Sequence, residues 1–191
     1  MADPARKRAT YDDLLAVPDR YVAEIIDGEL RVLPRPAPRH ACASSALGGD
    51  LSGPFQRGRG GPGGWWILDE PELHLPEGDI LVPDLAGWRL ARMPELPETA
   101  FFELAPDWVC EVLSPSTAAD DRADKLPIYA RAGVAHAWLV DPILKTLEVL
   151  RREGERWTLL ATYKGEAEVR AEPFDAVPLE LGALWGKPAG A

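Results

Sequence analysis

The sequence has only two cysteines and three histidines in 191 residues, and no Cys-x-x-Cys pair. Two thiols cannot staple a chain of this length, so its stability must come from a hydrophobic core. Cys110 lies in the apolar run Trp108-Val109-Cys110 and reads as a buried, reduced thiol. The same scarcity argues against a thiolate zinc site at Cys42 or Cys110. No window approaches the about 20 apolar residues that a membrane span needs. The basic run Met1 to Arg8 has no apolar stretch after it, so it is not a secretory signal. A soluble, cytoplasmic protein is expected.

Positive charge is scarce too, with 21 Lys and Arg against 31 Asp and Glu, a net charge of −10. Binding to nucleic acid usually relies on a basic face that neutralises phosphates, and this chain as a whole repels a polyanion. The charge is uneven, however. Arg31, Arg35, Arg39, Arg57 and Arg59 fall in one segment where Asp50 is the only acid. Either that segment borders a cleft and holds a phosphate backbone, or it is solvated surface.

What is present is a hydrophobic fraction of 46%, that of a globular protein. One domain over 10–185 is expected, with tails at 1–9 and 186–191. Thr10 followed by acids predicts a short helix ended by Pro18. Residues 21–33 read as two strands joined by Asp27-Gly28, a hairpin signal. After the extended Pro34 to Pro38 stretch, Ala and Leu recur at helical spacing from His40 to about Gln56, although Gly48, Gly49 and Gly53 weaken that helix. The segment 57–64 is glycine-rich and reads as a flexible loop.

Three apolar runs of strand length follow, 65–75, 80–88 and 108–113. A helix is predicted from about Thr117 to Arg131, stopping at Gly133, then a strand over 135–140 and a hairpin across Glu153-Gly154-Glu155. Strand–helix–strand order implies a crossover, and the hairpins imply antiparallel additions at the edges. The expected fold is therefore α/β, a mixed sheet flanked by helices.

Glu111 is the most informative residue. In Trp108-Val109-Cys110-Glu111-Val112-Leu113 both strand faces are apolar, as in an interior strand covered on both sides. A carboxylate there must be paired or bound to a cation, because an uncompensated buried charge costs several kcal/mol. A structural glutamate would pair with Lys or Arg; a functional one would bind metal. Asp84 interrupts a second apolar strand after Pro83, or else marks a Pro-Asp turn. Two carboxylates on neighbouring strands repel, so a site that keeps both suits a hard divalent cation. Asp121, Lys125 and Tyr129 are spaced four apart and share one helix face. Taken locally, Lys125 is an exposed partner of Asp121, and Pro127 should kink the helix just beyond it.

Several motifs occur in a fixed order. They are Glu24-Ile25-Ile26-Asp27-Gly28-Glu29, Pro38-Arg39-His40, Val82-Pro83-Asp84-Leu85, the run from Val109 through Glu111 to Ser114-Pro115-Ser116-Thr117, Asp121-Arg122-Ala123-Asp124-Lys125-Leu126, Tyr129-Ala130-Arg131-Ala132-Gly133-Val134 and Trp138-Leu139-Val140-Asp141-Pro142. Each is weak alone, but the ordered set, covering about 10–184, resembles the Uma-two family of restriction endonucleases, a branch of the PD-(D/E)xK nuclease superfamily. The resemblance implies a restriction-endonuclease-like fold and magnesium-dependent cleavage of DNA, with manganese able to substitute.

It also implies that Asp84 and Glu111 ligate the metal, with the carbonyl of Val112 as a further ligand. The superfamily lysine normally lies two residues after the acid, where this chain has Leu113; in this branch it has moved to the following helix, matching Lys125. Glu24 corresponds to the family's upstream acid, a supporting or additional metal group. His40 matches a recurrent family position and reads as a structural histidine at a helix start. Tyr129 either buttresses the lysine or packs. Arg35, Arg39, Arg57 and Arg59 are the candidate DNA contacts. Pro127 and His136 depart from the usual family text. Oligomeric state is open, although restriction-type nucleases often act as homodimers. Two alternatives stand beside this: a nuclease fold kept as a non-catalytic DNA- or protein-binding module, and a structural domain in which Glu111 pairs with Lys125.

Overall fold

Asp27 and Gly28 both take positive φ, 50° and 81°, as a tight two-residue hairpin requires. The turn pairs β1 (Tyr21–Ile26) antiparallel with β2 (Glu29–Pro34). Buried Asp79 fastens it, accepting the Asp27 N–H at 2.7 Å. Ahead of the hairpin, α1 (Tyr11–Leu15) starts at Thr10, which forms a reciprocal capping box with Asp13. This computed structural model describes residues 8–186. Of the tails expected at 1–9 and 186–191, positions 1–7 and 187–191 lie outside the described residues.

The runs 65–75 and 80–88, each expected as one strand, both break in two. β3 (Trp65–Asp69) and β4 (Leu73–His74) are separated at Glu70, whose φ is 44°, and Pro71. β5 (Ile80–Leu81) and β6 (Leu85–Arg89) are separated by Val82-Pro83-Asp84. Pro83 has no N–H to give a ladder, and the chain changes sheets there. The mixed sheet expected from sequence is present, and a second, smaller sheet stands beside it. One antiparallel sheet runs in the order β2-β1-β5-β4.

A larger, mixed sheet is built from β3, β6, β7 (Trp108–Val112), β8 (His136–Asp141), β9 (Thr146–Glu153) and β10 (Arg156–Lys164). Its order is β10-β9-β8-β7-β6-β3, and only β7 and β8 run parallel. A small pair, β11 (Glu168–Val169) with β12 (Leu179–Glu180), precedes α5 (Leu181–Leu184). These last elements carried no signal in the sequence reading.

Every residue of β7 is buried. Trp108, Cys110 and Val112 pack into one core with Leu47 and Leu51 of α2 (Pro38–Leu51) and with Phe174. Val109 and Leu113 pack into another with Leu126, Ile128 and Tyr129. The alternation of a strand therefore turns Glu111 toward the helical segment 118–132. That segment is the helix expected over about 117–131, with its irregularity just before Pro127. It comprises α3 (Ala118–Asp120), a wide π-type turn over Asp121–Lys125, and α4 (Leu126–Ala132), closed by Gly133 at φ 92°. Pro127, in the first turn of α4, lacks an N–H to donate, and the wide turn just before it absorbs the mismatch.

The glycines expected to weaken α2 include one that lets it dock. A Cβ on Gly48 would lie 3.0 Å from Asp69 Oδ1 and 3.3 Å from Leu85 Cδ2. The helix runs from Pro38 to Leu51 and continues as a wide turn over Ser52–Gln56. The loop read as flexible is held in place: Arg59 N–H donates to Gly53 O at 2.9 Å, and Gly63 N–H to Pro54 O at 2.9 Å.

Candidate active site

In the β6–β7 ladder Leu85 stands opposite Cys110. One step further along this antiparallel register sets Asp84 across from Glu111, on one face of the sheet. Asp84 is held from two sides. Its Oδ2 accepts the Val112 N–H at 2.7 Å, and its Oδ1 lies 3.2 Å from His40 Nε2 in the first turn of α2. His40 is thus a cleft residue as well as a helix-start residue, and its Nδ1 is buried without a partner.

Lys125 is not on the surface. It is 4% exposed and Asp121 is 2% exposed, so the solvent-exposed pair expected from the local spacing is corrected. The wide turn and the packing of Tyr129 draw this helix face under the sheet. Lys125 Nζ lies 2.9 Å from Glu24 Oε1, 3.4 Å from Asp121 Oδ1 and 3.5 Å from Glu111 Oε1. Glu24, fully buried on β1, also accepts the Val82 N–H at 2.8 Å, while its Oε2 is buried and unpartnered. Tyr129 Oη donates to Glu111 Oε1 at 2.6 Å. Among the sequence candidates, the fold therefore gathers Glu24, His40, Asp84, Glu111, Val112, Lys125 and Tyr129.

Carboxylates outnumber cations here, and the titration of the cluster reflects it. Burial pushes the Glu111 carboxyl well above its ordinary range; Lys125 opposes this, and Asp121, Asp84 and Glu24 add to it. Asp121 is raised by burial against the pull of Lys125 and Thr117. Burial works against the Lys125 ammonium, but Glu111, Glu24 and Asp121 hold its pKa well above normal, so it stays charged. For His40, burial lowers the pKa and the neighbouring Asp84 more than restores it.

These groups line a cleft of about 240 Å³ that also includes Arg35, Glu70, Ser114, Ser116 and Thr117. Thr117 does not cap the helix with its side chain. Its hydroxyl instead meets Ser114 Oγ at 3.0 Å, and Ser114 Oγ in turn lies 2.9 Å from Ser116 Oγ. Arg35 reaches the cleft edge, donating to Asp19 O at 2.8 Å and to Glu70 Oε2 at 3.4 Å. Arg39, Arg57 and Arg59 are exposed and line no part of the cleft. The sequence spacing pairs Asp121 with Lys125 but does not reveal that Asp121 is buried.

Among the described residues, no group of three or more His, Cys, Asp or Glu side chains is arranged as a ready metal cage. The Lys125 ammonium sits among the carboxylates instead. The donor set nonetheless suits a hard cation. Oxygen ligands are on offer from Asp84, Glu111 and the Val112 backbone, and among the described residues the acids Glu24, Asp84, Glu111 and Asp121 have Lys125 and His40 as their cationic contacts. A bound divalent cation would relieve that excess of negative charge.

No curated protein matches this chain. A crystal structure of a putative nuclease from Anabaena variabilis superposes with a TM-score of 0.73 at 22% identity, covering 93% of this chain and 98% of that one. At that identity the likeness shows a shared fold, a mixed α/β architecture. No helix among the described residues is long and apolar enough to cross a membrane. A family profile described as "Putative restriction endonuclease" matches residues 8–181. With the match extending over nearly the whole sequence and the ordered motifs assembled around one cleft, this chain belongs to the Uma-two family.

Proposed function

We propose that the chain is a divalent-metal-dependent endonuclease that hydrolyses DNA phosphodiester bonds. The observation that carries this reading is the register that sets Asp84 opposite Glu111 on the floor of a cleft shared with Lys125. Asp84, Glu111 and the Val112 carbonyl would hold magnesium, or manganese in its place. When bound, the cation supplies Lewis-acid polarisation of the phosphate and acidifies a water.

The chain's own groups do the rest. Lys125, kept protonated by its acids, offsets the charge that builds on the phosphate oxygens as water adds to phosphorus. Glu24 and Asp121 fix the lysine, Tyr129 fixes Glu111, and His40 fixes one oxygen of Asp84. One P–O bond forms to water, the P–O bond to the leaving sugar oxygen breaks, the attacking water's proton ends in solvent, and the leaving oxygen takes a proton from solvent to become a hydroxyl.

Cleavage of DNA should require magnesium or manganese and vanish in EDTA. Asp84→Ala and Glu111→Ala should each abolish it while the protein still melts cooperatively. Unchanged cutting by either variant would refute the ligand assignment. A second reading, a non-catalytic binding module, is favoured by the complete pairing of Lys125 with three carboxylates and by the net charge of −10. It predicts binding to DNA or protein that is indifferent to metal, with no cut product.

A further inference from the structure

The cations deep in the cleft are already engaged. Lys125, 4% exposed, has three carboxylates around its ammonium, and His40 faces Asp84. Among the residues lining the cleft, the remaining cation is Arg35. It extends from the strap between Pro34 and Pro36, whose rings fix φ and leave the backbone little freedom. Its Nη2 donates to Asp19 O at 2.8 Å, which orients the guanidinium without adding charge. Its Nη1 is directed at Glu70 Oε2, but at 3.4 Å, long for a charge-assisted bond. The two side chains are 56% and 43% exposed, and an exposed ion pair contributes little stability.

Glu70 also carries backbone strain. Its φ of 44° lies in the left-handed region that glycine takes freely and a residue with a Cβ rarely adopts. The Glu70 N–H donates to Asp84 O at 3.1 Å, so the strained residue is pinned beside a metal-ligand candidate. Its carboxylate lines the cleft and is near enough to His40 for its charge to act on that ring. A conformation suited to glycine is thus held by an acid that adds to an already negative cleft and faces its most accessible cation. Strain of this kind collects at functional sites.

We propose that Glu70 is an autoinhibitory stand-in for a phosphate: it holds Arg35 in the free protein, and a DNA phosphate next to the scissile one takes its place. The proposal rests on the nuclease reading and names the residues that set its affinity for substrate. The exchange is favourable on chemical grounds. A phosphate offers the guanidinium fork two oxygens in place of one long contact. The displaced carboxylate is open enough for water to solvate it. Arg35 keeps its bond to Asp19 O throughout, so the strap need not move.

The test is a double-mutant cycle on a fluorescent DNA duplex, with Kd read by anisotropy in calcium and KM from cutting in manganese. Arg35→Ala should raise both about tenfold, the scale of a lost hydrogen bond to a charged group. Glu70→Gln should lower both about two- to fivefold, the scale of an exposed ion pair, and should have no effect in the Arg35→Ala background. Glu70→Gly, which suits the positive φ, should lower Kd and KM in the same way. Both side chains are surface-accessible, and an unchanged melting temperature confirms that the variants fold. An equal gain from Glu70→Gln with and without Arg35 would make Glu70 only a repelling charge and overturn the proposal, as would a Kd insensitive to Arg35→Ala. Either result leaves the nuclease reading standing. Full coupling in Kd with no cut product overturns the nuclease reading alone, and no DNA binding in either metal overturns both.

Discussion

Lys125 Nζ lies 2.9 Å from Glu24 Oε1, closer than to any acid on its own helix or on β7. The two residues come from different layers: Glu24 from the smaller sheet and Lys125 from the wide turn packed under the larger one. This contact ties the layers together across the cleft, and it gives Lys125 a close partner independent of Glu111.

That independence separates two substitutions that a simple Glu111–Lys125 pair would make equivalent. Glu111→Gln leaves Lys125 with Glu24 and Asp121 and removes one surplus buried acid. The metal-free variant should melt at or above the metal-free wild type and ignore manganese. Lys125→Met strands three buried carboxylates, a loss of about 3–5 kcal/mol, or about 10 °C for a domain of this size. Manganese at a hundredfold above its Kd should stabilise the wild type by about 2.7 kcal/mol. Differential scanning of the three proteins with and without metal checks all of this, and a strongly destabilised Glu111→Gln would sink the metal site in favour of a structural ion pair.

Lys125 and Tyr129 should differ in kinetics. Lys125→Ala should lower the cutting rate by about 10²–10³, the scale of a lost transition-state donor. Tyr129→Phe removes the 2.6 Å bond that orients Glu111, and losing such an orienting partner weakens metal affinity by about tenfold. A manganese titration of each variant distinguishes them: the Tyr129 variant should need more metal, and the Lys125 variant should not.

Gly61 should resist substitution although it lies in a surface loop. A Cβ there would sit 2.4 Å from Pro54 Cβ and 2.8 Å from Pro54 O. Both neighbours belong to the wide turn following α2, so relief requires moving backbone. Gly61→Ala should lower the melting temperature clearly, whereas Gly53→Ala, with open space around the new methyl, should leave it unchanged or raise it through helix propensity. Equal melting of the two variants would contradict this packing.

His136 should make the fold acid-sensitive. Burial lowers its pKa below the ordinary 6.5; Glu172 opposes the shift, and Arg89 and Arg151 add to it. The unfolded chain therefore takes up the proton first as pH falls. Stability is lost as the pH drops below 6.5 toward the folded pKa. The slope of melting temperature against pH in that window should flatten in His136→Asn, and an unchanged slope would assign the acid sensitivity to other groups.

Local physics was legible in the residues themselves. Asp27-Gly28 announced a hairpin because few residues tolerate positive φ, and Gly133 announced a helix end for the same reason. Glu111 stood out because a strand apolar on both faces leaves a carboxylate no water. The ordered motifs around Asp84, Glu111 and Lys125 pointed to the family that the profile match then showed.

Other features were decided only by the packing of distant segments. Val82-Pro83-Asp84 reads either as strand interior or as a Pro-Asp turn, and that the chain leaves one sheet for the other there depends on partners on both sides. Lys125 reads as a surface residue because the carboxylate nearest to it, Glu24, comes from a hairpin far away in the sequence. Of the candidate arginines only Arg35 lines the cleft, and Arg39, Arg57 and Arg59 do not, since clustering in sequence fixes no common place in space. Periodicity and turn chemistry act over a few residues; burial and charge pairing act across whatever the fold brings within a few ångströms.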